Sequence, residues 1–185
     1  RRLGGEAIPD DDLLDTVTHL VEYPAVSAGT FDEAFLKLPH EVLITAMREH
    51  QKYFAVANSD HELLPCFIAV NNTPAQDMRV ITSWHERVIR ARLEDARFFF
   101  ETDTRTPPSE MVERLKGVLF QARLGTMFEK VCRVQTLVEH LADLIAPELK
   151  PTGSRAAWLC KSDLTTQVVN EFPGLQGVMG RIYAA

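Results

Sequence analysis

The stretch REHQKYFAV, residues 48–56, joins two different kinds of sequence. Before it, LPHEVLITAM (38–47) places apolar residues at helical spacing, and Pro39 suits the first turn of a helix because its missing N–H group is no loss there. After the polar residues comes YFAVA (53–57), an apolar run that is typical of a strand. The stretch therefore predicts a helix that ends in an exposed turn and passes directly into a strand.

A second apolar run, LPCFIAV (64–70), follows after the turn-prone segment NSDHE (58–62). Two strand-like runs separated by a short polar segment predict a β-hairpin. Residues 11–22 and WHERVIRARLEDARFFFETD (84–103) instead show the apolar period of helices. In the longer of these helices, one apolar stripe is predicted to face the core, and it consists of Ile89, Leu93, Ala96 and Phe100.

The segment TRTPPS (104–109) is the best candidate for a domain boundary. Each proline favours extended backbone in the residue before it and does not continue a helix cheaply. We therefore predict two domains, residues 1–106 and residues 107–185.

The second predicted domain carries no strand signal. A helix is predicted over residues 110–123, and TMFE (126–129) is a capping box that restarts a helix. Ser154 is expected to cap the helix that follows. One side of residues 127–146 is predicted to lie in a helix–helix interface, formed by Met127, Val131, Val134, Val138, Leu141 and Ile145. The predicted fold class is α+β, with a mixed α/β part that contains a β-hairpin, followed by an all-helical part.

The composition excludes several classes of protein. No apolar run approaches the roughly 20 residues that a membrane span needs. The three cysteines are far apart in the sequence, which fits a reducing compartment better than a disulfide framework. The net charge of −6 argues against a protein that coats nucleic acid by charge alone, although it leaves room for a local basic patch.

Familiar catalytic and metal-binding patterns are absent from the sequence. None of the three His-Glu dipeptides is followed by the second histidine of a zinc protease, and no two cysteines have the spacing of a structural zinc site. GLQGVMG (174–180) lacks the spacing of a dinucleotide cradle, so its glycines are expected to serve a turn or close packing. His140 and Asp143 are expected to be a solvated polar pair. From these residues alone, a binding or scaffold role is the default.

Basic residues beside aromatic ones can bind phosphates and stack on the bases of RNA. In the opening stretch, Arg48 and Lys52 are candidates for phosphate contact, and His50 or Tyr53 for stacking. RFFF (97–100) is a second candidate of this kind. The alternative is purely structural, since Tyr53 also suits a core position and basic residues favour the last turn of a helix. Both interpretations stay open at this point.

Five motifs succeed one another along the chain: LPHEVLITAMREHQKYF, FIAVNN, HERVIRARLEDARFFFETD, LGTMFEKVCRVQ and KSDLTTQVVNEFPGLQGVMGRIYA. In this order they resemble the β subunit of bacterial glycyl-tRNA synthetase, from about Leu13 to Ala184. If the resemblance holds, the chain is an internal piece of that subunit.

The resemblance implies a cytoplasmic α2β2 enzyme that joins glycine to tRNA(Gly) with ATP and Mg²⁺. It implies that the adenylate-forming site lies on the α subunit, and that the β subunit mainly binds and positions tRNA. The chain itself is then expected to hold no catalytic residue, metal or cofactor and to contact no membrane. Its first part is expected to be similar to the B3/4 module of the phenylalanine enzyme, and its second part to the start of a degenerate HD-like domain.

The sequence departs from the family pattern at two places. Trp84-His85 stands where members often carry Gly-Asn, and Lys161-Ser162-Asp163 stands where an HD phosphohydrolase would carry its His-Asp pair. A protonated lysine has no lone pair to offer a metal. Two alternatives to a tRNA-binding role remain: a metal-dependent HD-type phosphohydrolase, and a scaffold that contacts only other synthetase domains.

Overall fold

The computed structural model describes residues 4–74 and 76–185 and divides into two compact units, Arg1–Phe98 and Phe99–Ala185. The first unit combines an antiparallel sheet with helices, and the second is mostly helical. The predicted α+β class is therefore confirmed. In the part of the chain that the structure describes, no helix is long and apolar enough to cross a membrane.

The sheet of the first unit is antiparallel throughout, with the strand order β1–β3–β4–β2. In chain order the strands are β1 Glu6–Ala7, β2 Ala25–Thr30, β3 Phe54–Ala57 and β4 Leu63–Asn71. The predicted hairpin is confirmed as β3–β4, with Phe54 opposite Ile68. β2 pairs along β4, with Ala25 opposite Asn71. Its sequence, AVSAGT, did not predict a strand, because alanine and glycine have little preference for strands.

Three α-helices belong wholly or partly to the first unit: α1 Asp11–Leu20, α2 His40–Gln51 and α3 Met78–Asp103. At the start of α1, the Asp10 carboxylate accepts a hydrogen bond from the Leu13 N–H at 2.9 Å and so caps the helix. α3 begins earlier than the predicted start at Trp84. Its first turn is held by Asp77, whose Oδ1 accepts from the Arg79 N–H at 2.9 Å.

The core of the first unit includes Phe67 of β4, which is fully buried. The ring of Tyr53 stacks on it, with 4.5 Å between the ring centroids. Gly29 of β2 passes so close that a Cβ atom there would lie 2.4 Å from the Phe67 ring. The predicted stripe of α3 is confirmed as core for Ile89, Leu93 and Ala96, which are buried, whereas its fourth member, Phe100, is half-buried.

The second unit follows the end of α3 with α4 Pro108–Arg114, β5 Leu119–Gln121, β6 Gly125–Thr126, α5 Met127–Ile145, α6 Lys150–Leu159, α7 Gln167–Glu171 and α8 Val178–Ala184. The helix predicted over residues 110–123 is wrong in its second half, where the chain forms the ribbon β5–β6. Gly125 takes a positive φ of 81° in this ribbon. The Gln121 side chain holds the turn by accepting hydrogen bonds from the N–H groups of Arg123 and Leu124. The part predicted to be all-helical thus contains one short ribbon.

The start of α5 is the predicted capping box. The Glu129 N–H donates to Thr126 Oγ1 at 3.2 Å, and the Thr126 N–H donates to Glu129 Oε2 at 2.6 Å. Both ends of this reciprocal pair satisfy backbone N–H groups that have no partner inside the helix. The prediction of a helix that restarts at this box is confirmed.

α5 packs against α6 through small residues. A Cβ atom at Gly153 would lie 3.1 Å from the Val138 side chain, which shows how closely the two helices approach. Ser154 Oγ accepts a hydrogen bond from Gln135 at 2.9 Å and donates one to Glu139 at 2.5 Å. The prediction that Ser154 caps the next helix is therefore wrong, because α6 already begins at Lys150 and turns Ser154 towards α5.

Replacing Gly29 with alanine is expected to destabilise the first unit. The added methyl group would overlap the Phe67 ring, and overpacking of a filled core typically costs about 1–3 kcal/mol. Urea unfolding would measure the change in the free energy of unfolding. Gly117→Ala is the matched control, because nothing lies within 4 Å of the added Cβ there. Equal stability of Gly29→Ala and the parent protein would contradict the packing described for β2.

Candidate nucleic-acid interface

The opening stretch folds into a helix end whose C-cap residue is left-handed. Lys52 is the C-cap of α2 and has left-handed backbone angles, φ 56° and ψ 37°. Its N–H donates to the Arg48 carbonyl at 3.1 Å, and the Tyr53 N–H donates to the Met47 carbonyl at 3.1 Å. These bonds satisfy the last carbonyls of α2 and turn the chain into β3. The predicted passage from helix to strand is confirmed.

The ammonium group of Lys52 lies over the end of its own helix. Lys52 Nζ donates to the Glu49 carbonyl at 3.1 Å in an exposed position. This contact is a single hydrogen bond to a neutral acceptor at the negative end of the helix dipole. Such a hydrogen bond to a neutral carbonyl, in an exposed position, can be exchanged for a bond to a phosphate oxygen.

Arg48 stands one turn before Lys52 on α2 and faces the start of α1. Its Nε lies 3.4 Å from Asp10 Oδ2, and one terminal nitrogen lies 3.7 Å from Asp12 Oδ2. These contacts are partly exposed, and ion pairs of this kind contribute little to stability, with a median of about 0–1 kcal/mol. The guanidinium group is therefore oriented, and part of it remains open to solvent. His50 lies half-buried in the last turn of the same helix.

Tyr53 belongs to the core. Only 3% of its surface is exposed, and its ring stacks on Phe67. Its hydroxyl lies 2.7 Å from Nδ1 of His85, and burial raises the pKa of the phenol to about 12. A ring that is covered in this way has no free face for a base. Contact with RNA therefore stays a prediction for Arg48, His50 and Lys52, and Tyr53 takes the structural role.

A chain of hydrogen bonds continues from Tyr53 across the first unit. His85 Nε2 lies 2.7 Å from Asn71 Oδ1. Asn71 Nδ2 donates to the Ala25 carbonyl at 2.9 Å and to Ser27 Oγ at 3.0 Å, which leaves Oδ1 as the acceptor that faces the imidazole. Nε2 of His85 then carries a proton, and in the neutral imidazole Nδ1 accepts from the Tyr53 hydroxyl.

Burial lowers the pKa of His85 and so favours the neutral imidazole in this network. A proton on Nδ1 would make that nitrogen a donor and leave the Tyr53 hydroxyl only the longer bond to Gln51 Oε1, at 3.4 Å. The sequence did not identify His85 as a partner of Tyr53; it marked the residue only as a departure from the family pattern. No periodicity could have found the pair, because 32 positions separate the two residues.

The glycines of GLQGVMG hold a carboxylate. The N–H groups of Gly177 and Gly180 donate to Asp163 Oδ2 at 2.5 and 3.0 Å. A Cβ atom at Gly180 would lie 3.2 Å from that carboxylate, and Gly177 has a φ of 84°. The prediction that these glycines serve a turn and close packing is confirmed.

A second buried carboxylate, Asp103, also accepts hydrogen bonds from backbone N–H groups at the start of a helix. Asp103 accepts hydrogen bonds from the N–H groups of Gln167 and Val168 at the start of α7, and from the Tyr183 hydroxyl at 3.1 Å. Burial and the nearby Asp103 both raise the pKa of the Tyr183 phenol. Within residues 4–74 and 76–185, no group of three or more His, Cys, Asp or Glu side chains could hold a metal ion.

The His85 network is expected to make folding stability depend on pH. Because the folded state lowers the pKa of His85, the unfolded chain binds its proton more readily, and the stabilisation is complete only above the unfolded value of about 6.5. Stability should therefore fall as the pH decreases from 7.5 to 5.5. His85→Asn should flatten this dependence, which urea titrations at several pH values would measure. The same slope in both proteins would mean that another group is responsible.

Comparison with known proteins agrees with the resemblance seen in the sequence. A model of the family described as glycyl-tRNA synthetase beta subunit matches residues 1–185. Among curated relatives, the glycine–tRNA ligase beta subunit of Geobacter sulfurreducens is 53% identical over 181 residues, which are 98% of this chain and 26% of the relative. The corresponding subunit of Desulforapulum autotrophicum is 56% identical over 179 residues, which are 96% of this chain and 26% of the relative.

A third relative, from Syntrophus aciditrophicus, is 52% identical over 182 residues, which are 98% of this chain and 26% of that protein. The chain thus spans about a quarter of the length of the curated relatives that it matches. Since the family model covers the chain from end to end, the chain belongs to the glycyl-tRNA synthetase β-subunit family.

Proposed function

We propose that this chain is part of the β subunit of a glycine–tRNA ligase, an aminoacyl-tRNA synthetase, and that it helps to bind and position tRNA(Gly). The relatives are glycine–tRNA ligase beta subunits, which supports the assignment of both the enzyme and the subunit. Because the chain spans only a quarter of those relatives, the activity of the whole enzyme is inferred from the family.

In the proposed division of labour, the α subunit activates glycine with ATP and Mg²⁺ and carries the active site. The β subunit joins it in a cytoplasmic α2β2 assembly and holds the tRNA. This chain then contributes affinity and orientation, which place the acceptor end of the tRNA in reach of the α subunit. Such positioning can supply a large part of a rate enhancement without any chemistry by the positioning residues.

The proposed tRNA binding is supported by the residue type at position 52. A left-handed C-cap is the usual place for glycine, and a residue with a Cβ atom costs roughly 1–2 kcal/mol there. Lys52 nevertheless occupies this position, with φ 56°. Backbone strain of this kind tends to persist where a side chain serves function. The side chain of Lys52 is therefore proposed to be kept for contact with a phosphate group.

Arg48 completes the proposed phosphate-binding surface, which consists of Arg48, His50 and Lys52. Arg48 and Lys52 both belong to the end of α2, since Arg48 lies in its last turn and Lys52 is its C-cap. The guanidinium offers a planar fork of donors and the ammonium a point charge, and both recognise phosphate oxygens. With a net charge of −6, the chain relies on this local arrangement, because its overall field does not attract RNA.

The HD-phosphohydrolase alternative receives no support from the second unit. Asp163 is the acidic member of Lys161-Ser162-Asp163. One of its carboxylate oxygens, Oδ2, accepts hydrogen bonds from the N–H groups of Gly177 and Gly180. In this fold Asp163 therefore stabilises the N-terminus of α8. The scaffold alternative makes a different prediction for tRNA affinity, and a single variant separates it from the proposal.

Lys52→Gly is expected to change stability and tRNA binding in opposite directions. Glycine relieves the left-handed strain, so the free energy of unfolding should rise by up to about 1 kcal/mol. The loss of one phosphate contact should weaken binding of tRNA(Gly) by the assembled enzyme and lower the slope of log K against log salt by about one unit. Urea unfolding and filter binding at several salt concentrations would measure the two effects.

Lys37→Gly is the matched control for charge. Lys37 is an exposed lysine in the same unit and ends a short 3₁₀ helix. It should leave both the tRNA affinity and the salt slope close to those of the parent enzyme. If Lys52→Gly binds tRNA as tightly as the parent enzyme at low salt, Lys52 does not contact tRNA. That result would favour a scaffold that contacts only other synthetase domains.

A further inference from the structure

The second half of α5 is apolar over an unusually wide arc. At 3.6 residues per turn, the valine, leucine, isoleucine and alanine side chains from Val131 to Ile145 cover about 160° of the helix circumference. A helix that packs against one neighbour needs an apolar arc of roughly 100°. The sequence of α5 therefore indicates that two structural elements pack against this helix.

One part of this arc is occupied within the second unit. Val131 is fully buried in a cluster with Val112 and Leu115. Val138 lies against Gly153 of α6, and the hydrogen bonds of Ser154 border this contact. α6 and the start of the unit thus account for the first neighbour of α5.

The adjacent part of the arc is bare. Its side chains, which we call the α5 leucine stripe, are between 51% and 78% exposed, and they are Leu137, Leu141, Leu144 and Ile145. Leu149, in the turn that follows α5, is also 58% exposed. Leu141 and Ile145 were predicted to lie in a helix–helix interface, but within residues 4–74 and 76–185 their surface remains open. Single exposed leucines are ordinary, whereas a contiguous stripe marks a contact surface.

We infer that the α5 leucine stripe is covered by an amphipathic helix from the same polypeptide, contributed by the part of the β chain outside residues 1–185. About three quarters of the length of the relatives lies outside the matched region, so ample chain is available for this contact. Four large aliphatic side chains that are each more than half exposed fit a permanent contact better than a surface that binds and releases its partner, because permanent interfaces are the more apolar ones.

A photoreactive residue at position 141 of the full-length β subunit tests the inference. Benzoylphenylalanine replaces Leu141, and the protein is irradiated alone and in the assembled enzyme. The expected product migrates as a single β chain on a denaturing gel in both samples, and peptide mapping joins position 141 to a segment outside residues 1–185. The crosslinking yield should be several times that of the same probe at Arg155, an exposed position on α6.

Each other result would overturn the inference in a recognisable way. A band of twice the β mass would identify a second copy of the chain as the occupant. A band that appears only with the α subunit would identify that subunit. A peptide within residues 1–185 would mean that the stripe is covered by the part already described. The absence of any product above the Arg155 control would mean that the stripe faces solvent. None of these outcomes depends on tRNA binding, so they leave the proposed function untouched.

Discussion

The stacking of Tyr53 on Phe67 is the contact around which the first unit is arranged. The 4.5 Å between the two rings fixes the start of β3 against β4, and the close passage of Gly29 brings β2 onto the same ring. α3 is tied to this group twice, by His85 to the Tyr53 hydroxyl and by Glu86, which accepts from the Thr30 N–H at 2.8 Å. Aromatic packing thus places β2, β3 and β4 around one ring, and the hydrogen bonds of His85 and Glu86 fix the position of α3 along these strands.

The same arrangement gives the proposed interface its rigidity. Because Tyr53 is buried in the core, it fixes the position of the residue before it. The left-handed backbone of Lys52 is therefore constrained by α2 on one side and by Tyr53 on the other. A side chain on a fixed backbone loses less conformational freedom when it binds than one on a mobile loop. The stretch that joins helix to strand therefore combines a buried half, which maintains the fold, with an exposed half, which is free to serve binding.

The sequence was a good guide wherever local chemistry decides. The capping box at Thr126, the stripe of Ile89, Leu93 and Ala96, and the β3–β4 hairpin each depend on residues close together in the chain, and all three are confirmed. It failed where distant contacts override local preference. β2 has few residues that favour strands and forms because β4 offers it a full edge of hydrogen-bonding groups.

The same reasoning separates the predictable and unpredictable parts of the candidate site. Arg48 and Lys52 could be selected from the pattern of charges at a helix end. The burial of Tyr53 by Phe67, and its partner His85, follow from tertiary contacts across 14 and 32 positions that no spacing rule covers. Ser154 was assigned to a helix start on its residue type, whereas its hydroxyl is used between α5 and α6.

The two buried carboxylates of the second unit bear on how it folds. α7 and α8 are five and seven residues long, too short to form helices in isolation, since isolated helices of fewer than about 12 residues are marginal even with favourable sequences. Asp103 reaches the start of α7 across 64 positions, and Asp163 reaches α8 across 14. α7 has a local cap in Thr166, whose Oγ1 accepts from the Val169 N–H, but the N–H groups of Gln167 and Val168 find their acceptor only when Asp103 has arrived. The N–H groups of Gly177 and Gly180 depend in the same way on Asp163. The C-terminal segments of this unit should consequently form late and together, as one cooperative step that follows the docking of the end of α3.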